Sequence, residues 1–130
     1  MKLTRTADYA MRLLISLATN EGTGTVKAKA KELDVPANHL VKVVHSLSKV
    51  GLLLTKKGKG GGFKLAFPPS KIRVSEVIEA TEGPLIVSDC LFHPKGCGRS
   101  KSCPFRKFLL TFRADMQKTL YKKTISDFIA

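Results

Sequence analysis

Residues 26–51 read VKAKAKELDVPANHLVKVVHSLSKVG. Val26, Ala30 and Leu33 fall at helical spacing with Lys27, Lys29 and Lys31 expected outward, which predicts a short amphipathic helix. Asp34-Val35-Pro36 reads as a tight turn. Proline suits the opening of the next helix, where its missing N–H costs nothing. That helix should bury Leu40, Val43, Val44, Leu47 and Val50, with Gly51 as its C-cap. Two helices joined by so short a turn make a helix-turn-helix.

Upstream, Ala7, Ala10, Met11, Leu14, Ile15 and Ala18 predict a helix over 7–18, entered through Thr4 or Thr6 and stopped by Asn20-Glu21-Gly22. Downstream, Leu52–Thr55 and Phe63–Ala66 read as strands around a tip of lysines and glycines, Lys56–Gly62, and Pro68-Pro69 closes the unit. A helix-turn-helix followed at once by a β-hairpin is a winged helix. Ser75 is a candidate N-cap for a further helix to about Thr81, broken by Gly83-Pro84. Residues 88–104 hold all three cysteines and show no periodicity. Pro104 then starts a long helix to about Lys123 with Phe105, Phe108, Leu109, Phe112, Met116 and Leu120 on one stripe. So apolar a helix at the end of a small chain is expected to pack against a second copy in a homodimer. The expected fold is mainly α with a small β-hairpin wing. A winged helix-turn-helix DNA-binding domain occupies 1–85, a cysteine loop 86–104, and a dimerisation helix with its tail 105–130.

Lys and Arg number 23 against 10 Asp and Glu among 130 residues, a net charge of +13. Such a balance points to a polyanionic partner, nucleic acid before membrane. No apolar run approaches the ~20 residues that span a bilayer. With Asp8 and Arg12 inside the first apolar stretch a signal peptide is not expected either, and the expected location is cytoplasmic. The charge is uneven. Residues 35–75 contain no acid but include Lys42, Lys49, Lys56, Lys57, Lys59, Lys64, Lys71 and Arg73. A second basic stretch, Lys95–Lys123, is interrupted only by Asp115. The outward residues Asn38, His39, Val41, Lys42 and Lys49 are candidates for the DNA-facing side of the second helix, since Asn pairs with adenine and Lys with guanine in the major groove. In the wing, Lys57 and Lys59 can reach phosphates or a minor groove, and glycines such as Gly60 allow close backbone approach. Neither G-x-x-x-x-G-K-[ST] nor G-x-G-x-x-G is present, so a nucleotide loop is not supported. No paired carboxylates and no nucleophile beside a base suggest an enzyme.

The cysteines read Cys90-x6-Cys97-x5-Cys103 on a Gly/Pro-containing segment. An odd number of thiols suits a metal or cluster site in a reducing compartment better than a disulfide framework. Soft thiolates hold iron–sulfur clusters and zinc. The wide gaps favour a cluster over a C-x2–4-C zinc site, leaving two alternatives: zinc with His93 completing a Cys3His set, or three free thiols. For a fourth cluster ligand the candidates are His93, Asp89, Glu82 or a residue from a second subunit such as Asp8. An i,i+4 pair with Arg12 and a favourable place in a helix's first turn account for Asp8, so the residues alone do not select it as a ligand.

Leu3-Thr4, Asp8-Tyr9-Ala10, Asn38-His39-Leu40-Val41-Lys42-Val43-Val44, Lys57-Gly58-Lys59-Gly60-Gly61-Gly62-Phe63 and the three-cysteine segment, in this order, resemble the Rrf2 family of bacterial winged-helix regulators. Leu85-Ile86-Val87 before Cys90, and Thr119-Leu120 leading to Thr124-Ile125-Ser126-Asp127-Phe128, resemble its nitric-oxide-sensing repressors more than its [2Fe-2S] regulators of cluster biogenesis. The resemblance implies a dimer that crosses its long C-terminal helices and binds a palindromic double-stranded DNA operator. It implies a [4Fe-4S] cluster on Cys90, Cys97 and Cys103, with Asp8 of the partner subunit as fourth ligand and nitric oxide as signal. It places base reading at Asn38, His39, Val41 and Lys42. The family's wing arginine falls on Lys57, a departure that weakens minor-groove reading.

Overall fold

Thr4 opens the first helix of the computed structural model, which describes residues 2–20, 22–99 and 101–129. Its hydroxyl accepts from the Ala7 amide at 3.2 Å, and α1 runs Arg5–Thr19 to a cap at Asn20. Glu21 of the expected stop and Ser100 of the cysteine segment lie outside the described residues. The fully buried residues of α1 are Ala7, Ala10, Leu13, Leu14 and Leu17. Met11, Ile15 and Ala18, expected on that stripe, are half-buried at its edges. The helix is covered on several sides, by α3 (Ala37–Lys49), by α4 (Val74–Glu82) and by the C-terminal tail. Its centre therefore belongs to Leu13 and Leu17, one position round from the predicted edge.

α2 spans Val26–Leu33, capped by Thr25, whose hydroxyl accepts from the Ala28 amide at 3.2 Å. Asp34 adopts a left-handed conformation at φ 53°, and the Val35 amide returns to the Ala30 carbonyl at 3.0 Å. Pro36 then caps α3, its carbonyl accepting from the Leu40 amide at 3.0 Å. Leu40, Val43, Val44 and Leu47 are buried as expected, but Val50 is 53% exposed. The cause is how α3 ends. The Leu52 amide reaches the Leu47 carbonyl and the Gly51 amide the Ser48 carbonyl, both at 3.0 Å, with Gly51 at φ 81°. This Schellman closure turns the chain so that Leu52, not Val50, enters the core.

Lys29 also departs from its expected outward position: it is 6% exposed. Its Nζ donates to Ser16 Oγ at 2.7 Å and to Glu32 Oε2 at 2.8 Å, which joins α2 to α1. A lysine stem is mostly methylene, so it packs like an apolar residue once its ammonium has partners.

β2 (Leu53–Lys56) and β3 (Gly62–Leu65) form the antiparallel wing within one residue of the predicted strands. The two-residue strand β1 (Thr23–Gly24) was not anticipated; it pairs with β3, giving the order β1-β3-β2. Gly62 makes this third strand possible: a Cβ there would lie 2.5 Å from the Gly24 carbonyl oxygen.

α4 begins at Val74 with Arg73 as its cap, and the Arg73 amide donates to Glu76 Oε2 at 2.9 Å. Ser75 therefore lies inside the first turn instead of capping it. The reason is remote in sequence. The C-terminal tail pairs with residues 72–74, the Ile125 amide on the Ile72 carbonyl and the Val74 amide on the Lys123 carbonyl, both at 2.9 Å. α5 runs Pro104–Lys122, and Ile125 beyond it is fully buried. Of α5 itself only Leu109 is buried, and Phe105 and Phe108 are 64% and 61% exposed. Among the described residues no helix is long and apolar enough to cross a membrane.

Hydrogen bonds from Lys29 and then Ser16 hold the Glu32 carboxyl below its ordinary value of 4.5. A lowered folded value contributes stability that is present above the unfolded value and lost as pH falls through the folded one. Glu32→Gln should therefore lower stability at pH 7 by up to about 1 kcal/mol and flatten the decline below pH 4.5, seen as thermal midpoints across pH. Parallel curves for the two proteins would remove the pair from this account. Gly62→Ala should cost about 1–3 kcal/mol in denaturant titration, because neither backbone at the contact can yield freely.

Candidate functional site

Two surfaces carry the residues singled out from the sequence. On α3, Asn38, Val41, Lys42, His45 and Lys49 are exposed. Asn38 Oδ1 accepts from the His39 amide at 3.0 Å, a local bond that an adenine pairing in both directions would displace. His39 is different. Its Nε2 lies 3.1 Å from Thr6 Oγ1, and its ring stands edge-on to Tyr9 at 4.8 Å between centroids. The imidazole thereby fixes the start of α3 against α1.

At the wing tip Lys57, Lys59 and Gly60 are exposed. Gly58 and Gly60 have φ of 92° and 75°, a left-handed backbone that suits glycine. Among the described residues the ion pairs are Arg12–Asp8 and Lys29–Glu32, neither of which uses a lysine of α3 or the wing. The lysines of both elements are exposed, and among the described residues no carboxylate pairs with them.

The cysteine segment lies between α4 and α5. Cys90 is half-buried in a 3-10 turn, Asp89–Leu91, with its Sγ 3.3 Å from Ser88 Oγ. Cys97 is exposed and follows a second 3-10 turn, Pro94–Gly96. Cys103 is half-buried as the cap residue of α5, and its carbonyl accepts from the Lys107 amide at 3.2 Å. All three thiols are free. Cys90 and Cys97 share a cavity of about 420 Å³ with Asp89, His93 and Gly96. Two of the four sequence candidates for a fourth ligand, Asp89 and His93, are thus brought to the thiols. The other two lie away from the thiols of their own chain. Glu82 Oε1 accepts from the Thr4 amide at 2.7 Å, and Asp8 Oδ2 lies 3.7 Å from Arg12 in the helical pair. Among the described residues no three His, Cys, Asp or Glu side chains converge tightly enough to hold a metal ion. The donor set nonetheless fits an iron–sulfur group in its chemistry, offering soft thiols and no disulfide, two of them on one cavity with further donors beside them.

Two arginines of α5 hold this segment, and the sequence reading gave them no such role. Arg113 Nε donates to the Leu85 carbonyl at 3.0 Å, and its guanidinium lies 4.9 Å from the centroid of the Phe92 ring. One α5 repeat earlier, Arg106 Nε donates to the Cys90 carbonyl at 3.5 Å. Their seven-residue spacing on a predicted helix was the available signal.

Residues 3–130 match the family model of Rrf2, an iron-dependent transcriptional regulator. The chain is 34% identical to the HTH-type transcriptional regulator NsrR of Shouchella clausii, over 99% of this chain and 89% of that one. It is 32% identical to the protein of that name from Bacillus subtilis, over 99% and 90%. Among solved structures, the oxidized form of Staphylococcus aureus CymR superposes with a TM-score of 0.72 at 26% identity, covering 96% of this chain and 93% of that one. The winged-helix expectation agrees with these likenesses, as does the reading as a DNA-binding regulator and not an enzyme. A family match over almost every residue, together with relatives a third identical along their length, means that the chain belongs to the Rrf2 family of transcriptional regulators.

Proposed function

We propose that this regulator is a repressor that binds a palindromic operator as a homodimer and releases it on exposure to nitric oxide. In this reading Cys90, Cys97 and Cys103 hold a [4Fe-4S] cluster, with Asp8 of the partner subunit as fourth ligand. The observation that carries it is the placement of three free thiols on the one segment that separates the DNA-binding head from α5. Held by these residues, the group would supply iron as the place where nitric oxide acts, and the Asp8 carboxylate, a harder ligand than thiolate, would leave one iron more open.

The chain's own residues supply the rest. Asn38, Val41 and Lys42 present amide, methyl and ammonium groups to base edges, while Lys49, Lys57 and Lys59 neutralise phosphates. Gly60 lets the wing backbone approach the duplex. His39, tied to Thr6 and Tyr9, sets the angle at which α3 enters the groove. The uncovered Phe105 and Phe108 of α5 suit a second copy, which would space two recognition helices about one turn of DNA apart. Because the thiol segment joins head to dimer helix, a change in what the thiols hold alters the relation between the two heads.

One observation favours a second reading. His93 lines the same cavity as Cys90 and Cys97, a donor set suited to structural zinc. Metal and sulfide analysis of anaerobically purified protein separates the two. About four irons and four sulfides per chain are expected, with loss of operator binding on nitric oxide titration. About two of each would mark a [2Fe-2S] regulator, and one zinc without sulfide would end the sensing proposal. For the DNA surface, Lys57→Ala should weaken binding to operator and unrelated duplex alike and lower the salt slope by about one. A variant that altered base preference alone would refute the phosphate role of the wing.

A further inference from the structure

The cysteine segment has two arms that differ in how they are held. The first arm, residues 85–93, is stapled internally: the Leu91, Phe92 and His93 amides return to the Ser88, Asp89 and Asp89 carbonyls at 3.1, 3.0 and 2.8 Å. Cys90 lies inside that turn, so whatever holds Phe92 also holds Cys90. Arg113 grips both ends of the arm, through the Leu85 carbonyl at 3.0 Å and the Phe92 ring at 4.9 Å. Arg106 adds a bond to the Cys90 carbonyl itself. Arg113, Phe92 and Leu85 are all half-buried, a setting in which a guanidinium–ring contact and a hydrogen bond are worth more than at a fully solvated surface. The second arm, which carries Cys97, is exposed from Lys95 to Arg99.

We infer that Arg113 is a positioning residue that clasps the first arm to α5 and fixes Cys90 relative to the dimer helix, leaving Cys97 free to move. The clasp gives the two thiols unequal roles. Cys90 is the fixed donor and Cys97 the one that closes over a bound group or swings away from it. Since Arg113 belongs to α5, displacement of Cys90 is passed directly to the helix that suits a second copy. The inference deepens the proposed function, in which Cys90 is a cluster ligand, but the clasp itself is a property of the protein without any metal.

The test uses the full-length, metal-free, reduced chain and reads alkylation of each cysteine by iodoacetamide, resolved by peptide mass spectrometry. Arg113→Gln should raise the Cys90 rate about fivefold while leaving the Cys97 rate and the thermal midpoint near those of the wild type. Arg113→Lys keeps the charge but loses the Nε–H donor and the flat guanidinium face, so it should behave like Arg113→Gln. Restored protection in the lysine variant would show that charge, not the clasp, governs Cys90, and would overturn the inference. Equal acceleration at Cys90 and Cys97 would overturn it as well, because that outcome reports general loosening. Iron content of anaerobically prepared wild type and Arg113→Gln is the companion measurement. A wild type without iron defeats the cluster reading and leaves the alkylation ratio to decide the clasp. Iron in the wild type with unchanged Cys90 protection in both variants defeats the clasp and leaves the cluster reading standing.

Discussion

Complete burial of one face of α1 is the constraint on which the other elements depend. Ala7, Ala10, Leu13, Leu14 and Leu17 are fully removed from solvent, and α3, α4 and the C-terminal tail all pack against this helix. At ~25 cal/mol per Å² of apolar surface, the three leucines alone contribute several kcal/mol to holding that assembly. The position of α3 relative to α4 is therefore set through α1 as well as by their own contact. The Thr6–His39–Tyr9 cluster lies at the same junction and adds a polar pin to the apolar packing. A rigid head of this kind presents Asn38, Val41 and Lys42 on a defined face, and it can be moved as a unit by whatever moves the end of α4.

The concentration of lysine on α3 and the wing has a cost and a use. Neighbouring like charges repel, and residues 35–75 contain no carboxylate to relieve them. Two acids of the head pair elsewhere, Asp8 with Arg12 within α1 and Glu32 with Lys29 within α2, where Glu32 also accepts from Ser16 of α1. Internal pairing is thus kept away from the surface that must meet phosphate. An acid placed on the wing would relieve repulsion in the free protein and weaken attraction to nucleic acid by the same Coulomb term.

The helix-turn-helix was legible because its two periodic stripes and Asp34-Val35-Pro36 act within a few residues of one another. The wing was legible for the same reason, its tip glycines being needed by local backbone geometry. What the sequence hid depends on distant partners. Lys29 reads as a solvated lysine until Ser16 and Glu32 are placed beside its ammonium. Ser75 is a good cap by residue type, but pairing of residues 72–74 with the tail moved the cap to Arg73. Val50 fits the apolar stripe, yet the hydrogen bonds that end α3 turn it outward. A strand as short as β1 has no alternation to detect. Of the candidate metal site, the donor types and their common segment could be read. That Cys90 and Cys97 share a cavity with Asp89 and His93, while Glu82 is spent on Thr4, could not. The arginine grip on the first arm was hidden likewise, because it joins α5 to backbone more than twenty residues away.

The tail has a consequence for the order in which the molecule is made. Ile125, beyond α5, is fully buried in the same core as Leu13 and Leu40, and its amide completes the pairing with residues 72–74. A chain synthesised from its N-terminus can form α1, the helix-turn-helix and the wing early, since their contacts are mostly local. The core stays open until the segment that carries Ile125 has been made. The head that grips DNA is therefore finished only after the thiol segment and α5 have been made, so a chain cut short before Ile125 has both no core plug and unpaired backbone groups at Ile72 and Val74.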